Sequence, residues 1–216
     1  MRQASGQQPS GKQAYPQDSQ LLDLCSRVYL TASHSVNELE YSVIQHPQCQ
    51  VVVIRGTELS GEPDDSLWGR IKNIRDVIRD VRVLPWKTQN LPLGHSGFVK
   101  GAEAIYQQAV PTYIKYGKPV ILTGHSLGGA VAVALGVLLK AQGFEVRVVG
   151  FGTPKVFFRR HSLNCRLYRY GSDPVTRVPF GRHPVSVTAV GPKRWFWCIK
   201  DHFVSSYQLA KHQGLL

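Results

Sequence analysis

The pattern of apolar and polar positions predicts helices and strands that alternate along most of the chain. Residues 18–29 carry apolar side chains at helical spacing, and Asp18 or Ser19 can cap the start of this predicted helix. Residues 40–46 alternate as a strand does, and 50–54 form a β-branched run typical of a buried strand. Further strands are predicted at 119–123, 145–151 and 166–170, and further helices at 98–116 and 127–139.

The order strand, helix, strand in the second half of the chain predicts a parallel sheet, because right-handed crossovers assemble such units. The predicted fold class is therefore α/β, a mostly parallel sheet flanked by helices in a single domain. After the strand at 166–170 we expect a turn at 171–174. We also expect 185–190 and 195–199 to form a hairpin around Gly191 and Pro192, and His202 to lie at or just before the start of a last helix.

Length and composition favour one folded domain behind a flexible tail. The chain has 216 residues, 43% of them hydrophobic and 19% charged, which suits one globular domain. Residues 1–17 are rich in Gln, Ser, Gly and Pro, so we predict a flexible tail ahead of a domain at 18–216. The apolar stretch 127–139 is shorter than the ~20 residues of a membrane span. No apolar signal core is seen at the N-terminus, so we expect a cytoplasmic protein by default, with secretion left open if a signal was removed.

Basic residues are concentrated in one part of the chain. The formal net charge is +12, and residues 146–200 hold eleven Lys or Arg against a single acid, Asp173. Such a region is either a solvated surface or a contact for an anionic partner, for which an anionic lipid surface is preferred over nucleic acid. The cysteines at 25, 49, 165 and 198 form no CxxC pair, so we predict free thiols and no metal site.

The segment Gly124-His125-Ser126-Leu127-Gly128 matches the pattern G-x-S-x-G between a predicted strand and a predicted helix of small residues. This context makes Ser126 the candidate nucleophile, because the flanking glycines permit the strained turn that projects its Oγ. The N-terminus of the following helix favours negative charge close to the serine. His125 is predicted to be structural.

A serine nucleophile needs a histidine base and an acid that orients it, and hydrolases of this kind supply them in the chain order serine, acid, histidine. Asp173 follows the strand at 166–170, at the carboxyl edge of the sheet where such sites lie. His202 follows the last predicted strand and has the best location among the histidines. We therefore predict a triad of Ser126, Asp173 and His202. The remaining candidates are Asp201 as second choice of acid, His183 as second choice of base, and Glu145 and His161, which lie on the wrong edge of the sheet or too early in the chain.

The negative charge that develops on a substrate carbonyl oxygen needs hydrogen-bond donors. One donor is the backbone N–H of Leu127, which follows the nucleophile, and the other comes from the loop after an earlier strand. Thr57, after Arg55 and Gly56, fits that place. Residues 58–72 are polar but include Leu67, Trp68 and Ile71, so we expect either a mobile lid that starts at the rim of the site or a rigid surface insertion in which Trp68 stays packed.

These ordered pieces resemble the class 3 (fungal-type) lipases of the α/β-hydrolase fold over roughly residues 51–207. The resemblance rests on the strand that ends in Arg55-Gly56-Thr57, the segment 76–85, His95-Ser96-Gly97-Phe98, the motif around Ser126, Gly152-Thr153-Pro154-Lys155-Val156, Asp173-Pro174-Val175 and Asp201-His202. It implies an α/β-hydrolase sheet, the triad Ser126, Asp173 and His202, and an oxyanion hole of Thr57 and Leu127. Ile54 and Val77 depart from the aromatic residues usual at their positions.

The function expected from these residues is hydrolysis of carboxylic esters, of the acylglycerol type, through an acyl-enzyme on Ser126, with no cofactor and no metal. The alternatives are acyl transfer to an alcohol by the same acyl-enzyme, phospholipase-type activity at anionic lipid surfaces, and a polyanion-binding protein whose triad is vestigial.

Overall fold

The structure, a computed structural model, describes residues 15–56, 84–193, 195 and 198–216. Thr57, the predicted lid at 58–72 and residues 1–14 of the predicted tail lie outside the described residues. The strands are β1 (His34–Val36), β2 (Leu39–Gln45), β3 (Gln50–Ile54), β4 (Pro85–Trp86), β5 (Gly94–His95), β6 (Val120–His125), β7 (Val146–Phe151), β8 (Cys165–Tyr170) and β9 (Val187–Val190). The helices are α1 (Asp18–Thr31), α2 (Ser96–Tyr113), α3 (Leu127–Ala141) and α4 (Val204–His212), with short 3₁₀ turns at Val175–Arg177 and Ile199–His202.

The centre of the fold is a sheet of seven described strands in the order β1-β2-β3-β6-β7-β8-β9. The five strands from β3 to β9 run parallel, whereas β1 and β2 join antiparallel at one end. Both faces are covered. Val52 and Ile54 of β3 pack into the core beneath α2 and α3, and Val51 and Val53 pack into the core beneath α1 and α4. The predicted α/β class, with a mostly parallel sheet flanked by helices, is confirmed.

The first strand of the hairpin expected from 185–190 and 195–199 is β9, which pairs parallel with β8, with Leu167 opposite Val187 and Tyr170 opposite Val190. Residues 196 and 197 of the expected second strand lie outside the described residues, so the hairpin stays a prediction. The parallel pairing arises because β8 leaves one edge of the sheet open, and the crossover at 171–186 returns the chain to the start of that edge. A 3₁₀ turn begins at Ile199 and ends at His202, just before the last helix. None of the helices in the described ranges is long and apolar enough to cross a membrane.

Three consecutive parallel strands end at the same edge of the sheet. β6 ends at His125, β7 at Phe151 and β8 at Tyr170, so Ser126, Gly152 and Asp173 follow neighbouring carboxyl ends. This edge is where ligand sites form in open α/β sheets.

Candidate active site

Ser126 occupies a strained backbone turn between β6 and α3. Its φ is 55° and its ψ is −123°, a combination that non-glycine residues rarely adopt. The turn is tight enough that a Cβ atom added to Gly124 would lie 2.6 Å from the carbonyl oxygen of Gly128 and 2.7 Å from the nitrogen of Gly129. Glycine at this position is therefore required by the close approach of strand and helix, and the turn projects the serine side chain away from both.

The end of β3 lies directly against the first turn of α3. A Cβ atom on Gly128 would come within 2.9 Å of the backbone carbon of Arg55, so this contact also depends on glycine. Leu127 opens α3, and N–H groups in the first turn of a helix have no acceptor within the helix. Gly56 is buried beside this turn, and Thr57 follows it but lies outside the described residues. The oxyanion role of Thr57 stays a prediction.

The structure brings the three predicted triad residues into one chain of hydrogen bonds. His202 Nε2 lies 2.8 Å from Ser126 Oγ, and His202 Nδ1 lies 2.9 Å from Asp173 Oδ2. A carboxylate only accepts, so Nδ1 carries the proton and Nε2 of the neutral ring accepts from the serine hydroxyl. His202 and Asp173 are buried at 1% and 0% exposure, which keeps water from competing for these bonds.

The Asp173 carboxylate is held ionised by three donors. Besides His202, the hydroxyl of Tyr207 donates to Oδ2 at 2.7 Å, and the backbone N–H of Val175 donates to Oδ1 at 2.9 Å. Burial raises the pKa of Asp173, but the charge interaction with His202 and these hydrogen bonds lower it more, so the pKa ends below its ordinary value of 3.8. Burial and then the charge of Asp173 raise the pKa of Tyr207 well above 10, so Tyr207 stays a donor.

The residues ranked below Asp173 and His202 make other contacts in the structure. Asp201 Oδ2 accepts from the backbone N–H of Ser172 at 2.8 Å, which fixes the loop that carries Asp173. His183 Nε2 donates to the carbonyl of Thr176 at 2.8 Å, and burial lowers the pKa of His183. The ring centroids of His161 and Phe157 lie 4.8 Å apart. Of the candidates weighed from the sequence, Asp173 and His202 are the acid and histidine that the structure brings to Ser126.

His125 takes part in a buried network that the sequence did not reveal. His125 Nε2 donates to the backbone carbonyl of His202 at 2.7 Å, and the hydroxyl of Tyr29 in α1 donates to His125 Nδ1 at 3.1 Å. Burial, followed by the charge of His202, lowers the pKa of His125 to about 3, so the ring is neutral. The network ties α1 to the backbone of His202. Neither Tyr29 nor Tyr207 stands out in the sequence, because both occupy helix positions typical of ordinary core aromatics.

Two cations of the basic region pair with the same carboxylate. Arg147 and Arg166 form ion pairs with Asp18, which also accepts from the hydroxyl of Tyr168 at 2.7 Å. These contacts fasten the start of α1 to β7 and β8. Two of the eleven cations of this region are thus paired with a buried carboxylate.

Comparison with known proteins places these features in a family. A family model described as lipase (class 3) matches residues 51–183, more than half of the chain. Secreted mono- and diacylglycerol lipase 1 of Fusarium solani is 33% identical over 108 residues, 43% of this chain and 32% of that protein. Diacylglycerol lipase-beta of Mus musculus is 24% identical over 176 residues, 71% of this chain and 22% of that protein. The match therefore spans a third or less of the length of these curated relatives.

Solved structures share the fold. The propeptide complex of Rhizomucor miehei lipase superposes with a TM-score of 0.56 at 20% identity, over 74% of this chain and 54% of that one. Lip2 lipase of Yarrowia lipolytica superposes with a TM-score of 0.54 at 20% identity, over 80% of this chain and 77% of that one. The extent of the family match shows that the chain belongs to the class 3 lipase family, with an α/β-hydrolase fold.

Proposed function

We propose that the protein is a serine hydrolase that cleaves carboxylic esters of the acylglycerol type through an acyl-enzyme on Ser126. The observation that carries the proposal is the pair of hydrogen bonds at His202, 2.8 Å to Ser126 Oγ and 2.9 Å to Asp173 Oδ2. Family membership supports ester hydrolysis, and relatives named as lipases of mono- and diacylglycerols support this class of substrate.

In the acylation half-reaction, Ser126 Oγ attacks the ester carbonyl carbon while His202 Nε2 takes the hydroxyl proton. The buried Asp173 carboxylate stabilises the imidazolium that forms, through the Nδ1 hydrogen bond. The tetrahedral oxyanion accepts from the N–H of Leu127 and, by the sequence prediction, from Thr57. His202 then gives its proton to the leaving alcohol oxygen, and the acyl group stays on Ser126.

Deacylation repeats these steps with water in place of the serine hydroxyl. His202 Nε2 takes a proton from the water, whose oxygen attacks the acyl carbonyl, and the proton then passes to Ser126 Oγ as the fatty acid leaves. This chemistry uses groups of the chain and water, and it stays a prediction that no cofactor is required.

A hydrolysis panel tests the proposal. Purified protein is assayed on p-nitrophenyl butyrate and on emulsified monoacylglycerol and diacylglycerol, beside Ser126→Ala and a matched control, Ser186→Ala, at an exposed position. We expect turnover by the wild type and by Ser186→Ala, and a loss of at least about 10³-fold in Ser126→Ala. A wild type without turnover on every ester, which nevertheless binds anionic polymers, would instead favour a polyanion-binding protein with a vestigial triad.

The products of the same panel separate hydrolysis from acyl transfer and from phospholipase-type activity. Addition of a primary alcohol diverts the acyl-enzyme to a new ester if the protein is an acyltransferase, and fatty acid remains the main product if it is a hydrolase. Release of fatty acid from phospholipid, with none from diacylglycerol, would indicate phospholipase-type activity.

The cytoplasmic location of the protein also stays a prediction. Fractionation of the producing cells tests it.

A further inference from the structure

Four large apolar side chains lie exposed on one part of the surface. Leu84, Trp86, Leu93 and Phe180 are 68%, 42%, 44% and 86% exposed, and we call them the apolar quartet. Scattered apolar side chains are normal on a protein surface, but a contiguous group marks a contact surface.

The backbone holds the segments of the quartet side by side. Trp86 of β4 pairs with Gly94 of β5, Gly94 forms an antiparallel bridge with Phe157, and Phe157 forms another with Arg182. Leu93 precedes Gly94, and its carbonyl accepts from the N–H of Phe158 at 3.3 Å. Residues far apart in the sequence are therefore neighbours in a small, hydrogen-bonded face.

Phe180 is joined to the same face through its backbone, and its exposed ring lies near the ring of Phe158. His95 Nε2 donates to the carbonyl of Phe180 at 2.8 Å, and the ring of Phe158 lies 6.3 Å from that of Phe180. Two residues earlier, the carbonyl of Val178 accepts from the N–H of Lys155 at 2.9 Å. The segments of Lys155 and Phe180 follow the carboxyl ends of β7 and β8, so the face adjoins the edge of the sheet that holds the triad.

Cations lie in the same segments of the chain as the quartet. The ammonium of Lys100 lies 4.0 Å from the ring centroid of Trp86. Segments 84–102 and 155–200 contain one acid, the fully buried Asp173. Exposed cations of these segments that form no ion pair in the part of the chain that the structure describes include Lys87, Lys100, Arg159, Arg160 and Arg182.

We propose that this face docks on the surface of an anionic bilayer, with the apolar quartet at the boundary between headgroups and acyl chains and the cations against the phosphates. Protruding aliphatic side chains such as Leu84 and Leu93 gain nothing from a nucleic acid backbone but gain from apolar lipid. A second copy of the same face would oppose like charges. The proposal deepens the proposed function, because it names the surface on which the ester is presented.

Vesicle flotation tests this proposal without turnover. The full chain is used as Ser126→Ala, so that vesicles are not consumed and a failure of the hydrolase proposal does not affect the result. We expect binding to phosphatidylcholine vesicles with 30% phosphatidylglycerol that is at least about tenfold stronger than to pure phosphatidylcholine and weaker at 0.5 M salt. Phe180→Ser should lower the partition coefficient about tenfold. Combined Arg159→Gln, Arg160→Gln and Arg182→Gln should lower it about 50-fold or more.

The matched controls lie in segments that contribute no residue to the apolar quartet. Leu30→Ser removes a side chain that is 87% exposed on α1, and Lys115→Gln removes an exposed cation near the amino end of β6, at the opposite edge of the sheet. Both should leave vesicle binding unchanged. Equal binding to neutral and anionic vesicles would overturn the proposal, as would equal losses in Leu30→Ser and Phe180→Ser. Salt-sensitive binding to a DNA duplex without binding to anionic vesicles would assign the face to nucleic acid instead.

Discussion

The carboxylate of Asp201 accepts a hydrogen bond from the backbone N–H of Ser172 at 2.8 Å, immediately before the residue whose side chain binds His202. Asp201 and His202 are neighbours in the chain, yet they act on different parts of the same loop. His202 binds the side chain of Asp173, and Asp201 fixes the backbone of the residue before it. Substitutions of Asp173 and Asp201 should therefore have different effects on activity.

Replacement of either aspartate by asparagine separates their roles. Asp173→Asn should lower kcat by roughly 10⁴-fold, because an amide neither stabilises the imidazolium nor fixes the Nδ1–H tautomer. Asp201→Asn should lose less than about tenfold, because its amide oxygen still accepts from Ser172. Steady-state kinetics on p-nitrophenyl butyrate checks the ranking. If Asp201→Asn is the more damaged variant, Asp201 is the acid of the site.

Gly152 lies against the triad, and its replacement tests how tightly the histidine is packed. Its φ is 59°, and a Cβ atom there would lie 3.0 Å from His202 Nδ1 and 3.1 Å from Asp173 Oδ2. Gly143 provides a matched control, since its φ is 85° but no atom lies within 4 Å of an added Cβ. Both alanine variants should lose about 1–2 kcal/mol of unfolding free energy from the backbone conformation. Only Gly152→Ala should also lose turnover, by roughly 10–100-fold. Equal turnover in the two variants would show that the imidazole is not tightly confined.

The neutral, buried His125 should make the protein sensitive to acid. Because its pKa is about 3 in the folded chain against an ordinary 6.5, the unfolded chain binds this proton first as the pH falls. Stability is therefore lost between pH 6.5 and pH 3, by about 1.4 kcal/mol for each pH unit. His125→Gln keeps a donor and an acceptor but cannot be protonated, so its unfolding free energy should fall less steeply.

Urea unfolding at pH 6.5 and pH 4.5 measures this difference. Between these pH values, the unfolding free energy of the wild type should fall by roughly 2–3 kcal/mol more than that of His125→Gln. His212→Gln, at an exposed position, is the control and should follow the wild type. Parallel curves for wild type and His125→Gln would contradict the assignment of a neutral, buried His125.

Tyr207 should support Asp173 through its hydroxyl rather than through its ring. Tyr207→Phe retains the packing and removes one of the three described donors to the carboxylate, so we expect a loss of about 1.5–3 kcal/mol of unfolding free energy and about tenfold in kcat. Loss of this donor raises the pKa of Asp173 toward its ordinary value. The deficit in stability should therefore shrink as the carboxylate is protonated at low pH. Tyr116→Phe, at an exposed position, should change neither quantity. A deficit that does not change with pH would indicate packing alone.

Several elements could be predicted because local pattern and tertiary context agree in them. The apolar run at β3, the small-residue helix α3 and the motif around Ser126 each carry a distinctive pattern, and the order of strands fixes the edge at which Asp173 lies. The helix predicted at 98–116 lies at Ser96–Tyr113 instead, a difference at its ends.

What could not be predicted depends on partners distant in sequence. The alternation in β9 does not specify its partner strand, and the parallel pairing depends on the open edge that β8 provides. Tyr29 is separated from His125 by 96 residues, and Tyr207 from Asp173 by 34, so no local spacing signals those hydrogen bonds. The apolar quartet is assembled from segments that only the bridges around Phe157 join.

Covalent labelling shows directly whether Ser126 is the nucleophile. The protein is treated with a p-nitrophenyl alkylphosphonate, which phosphonylates an activated serine with release of p-nitrophenol, and the modified peptide is identified by mass spectrometry. We expect one adduct per chain, on Ser126, with no adduct in Ser126→Ala and labelling slowed by at least about 10³-fold in His202→Gln. An adduct on another residue, or undiminished labelling of Ser126→Ala, would show that Ser126 is not the nucleophile.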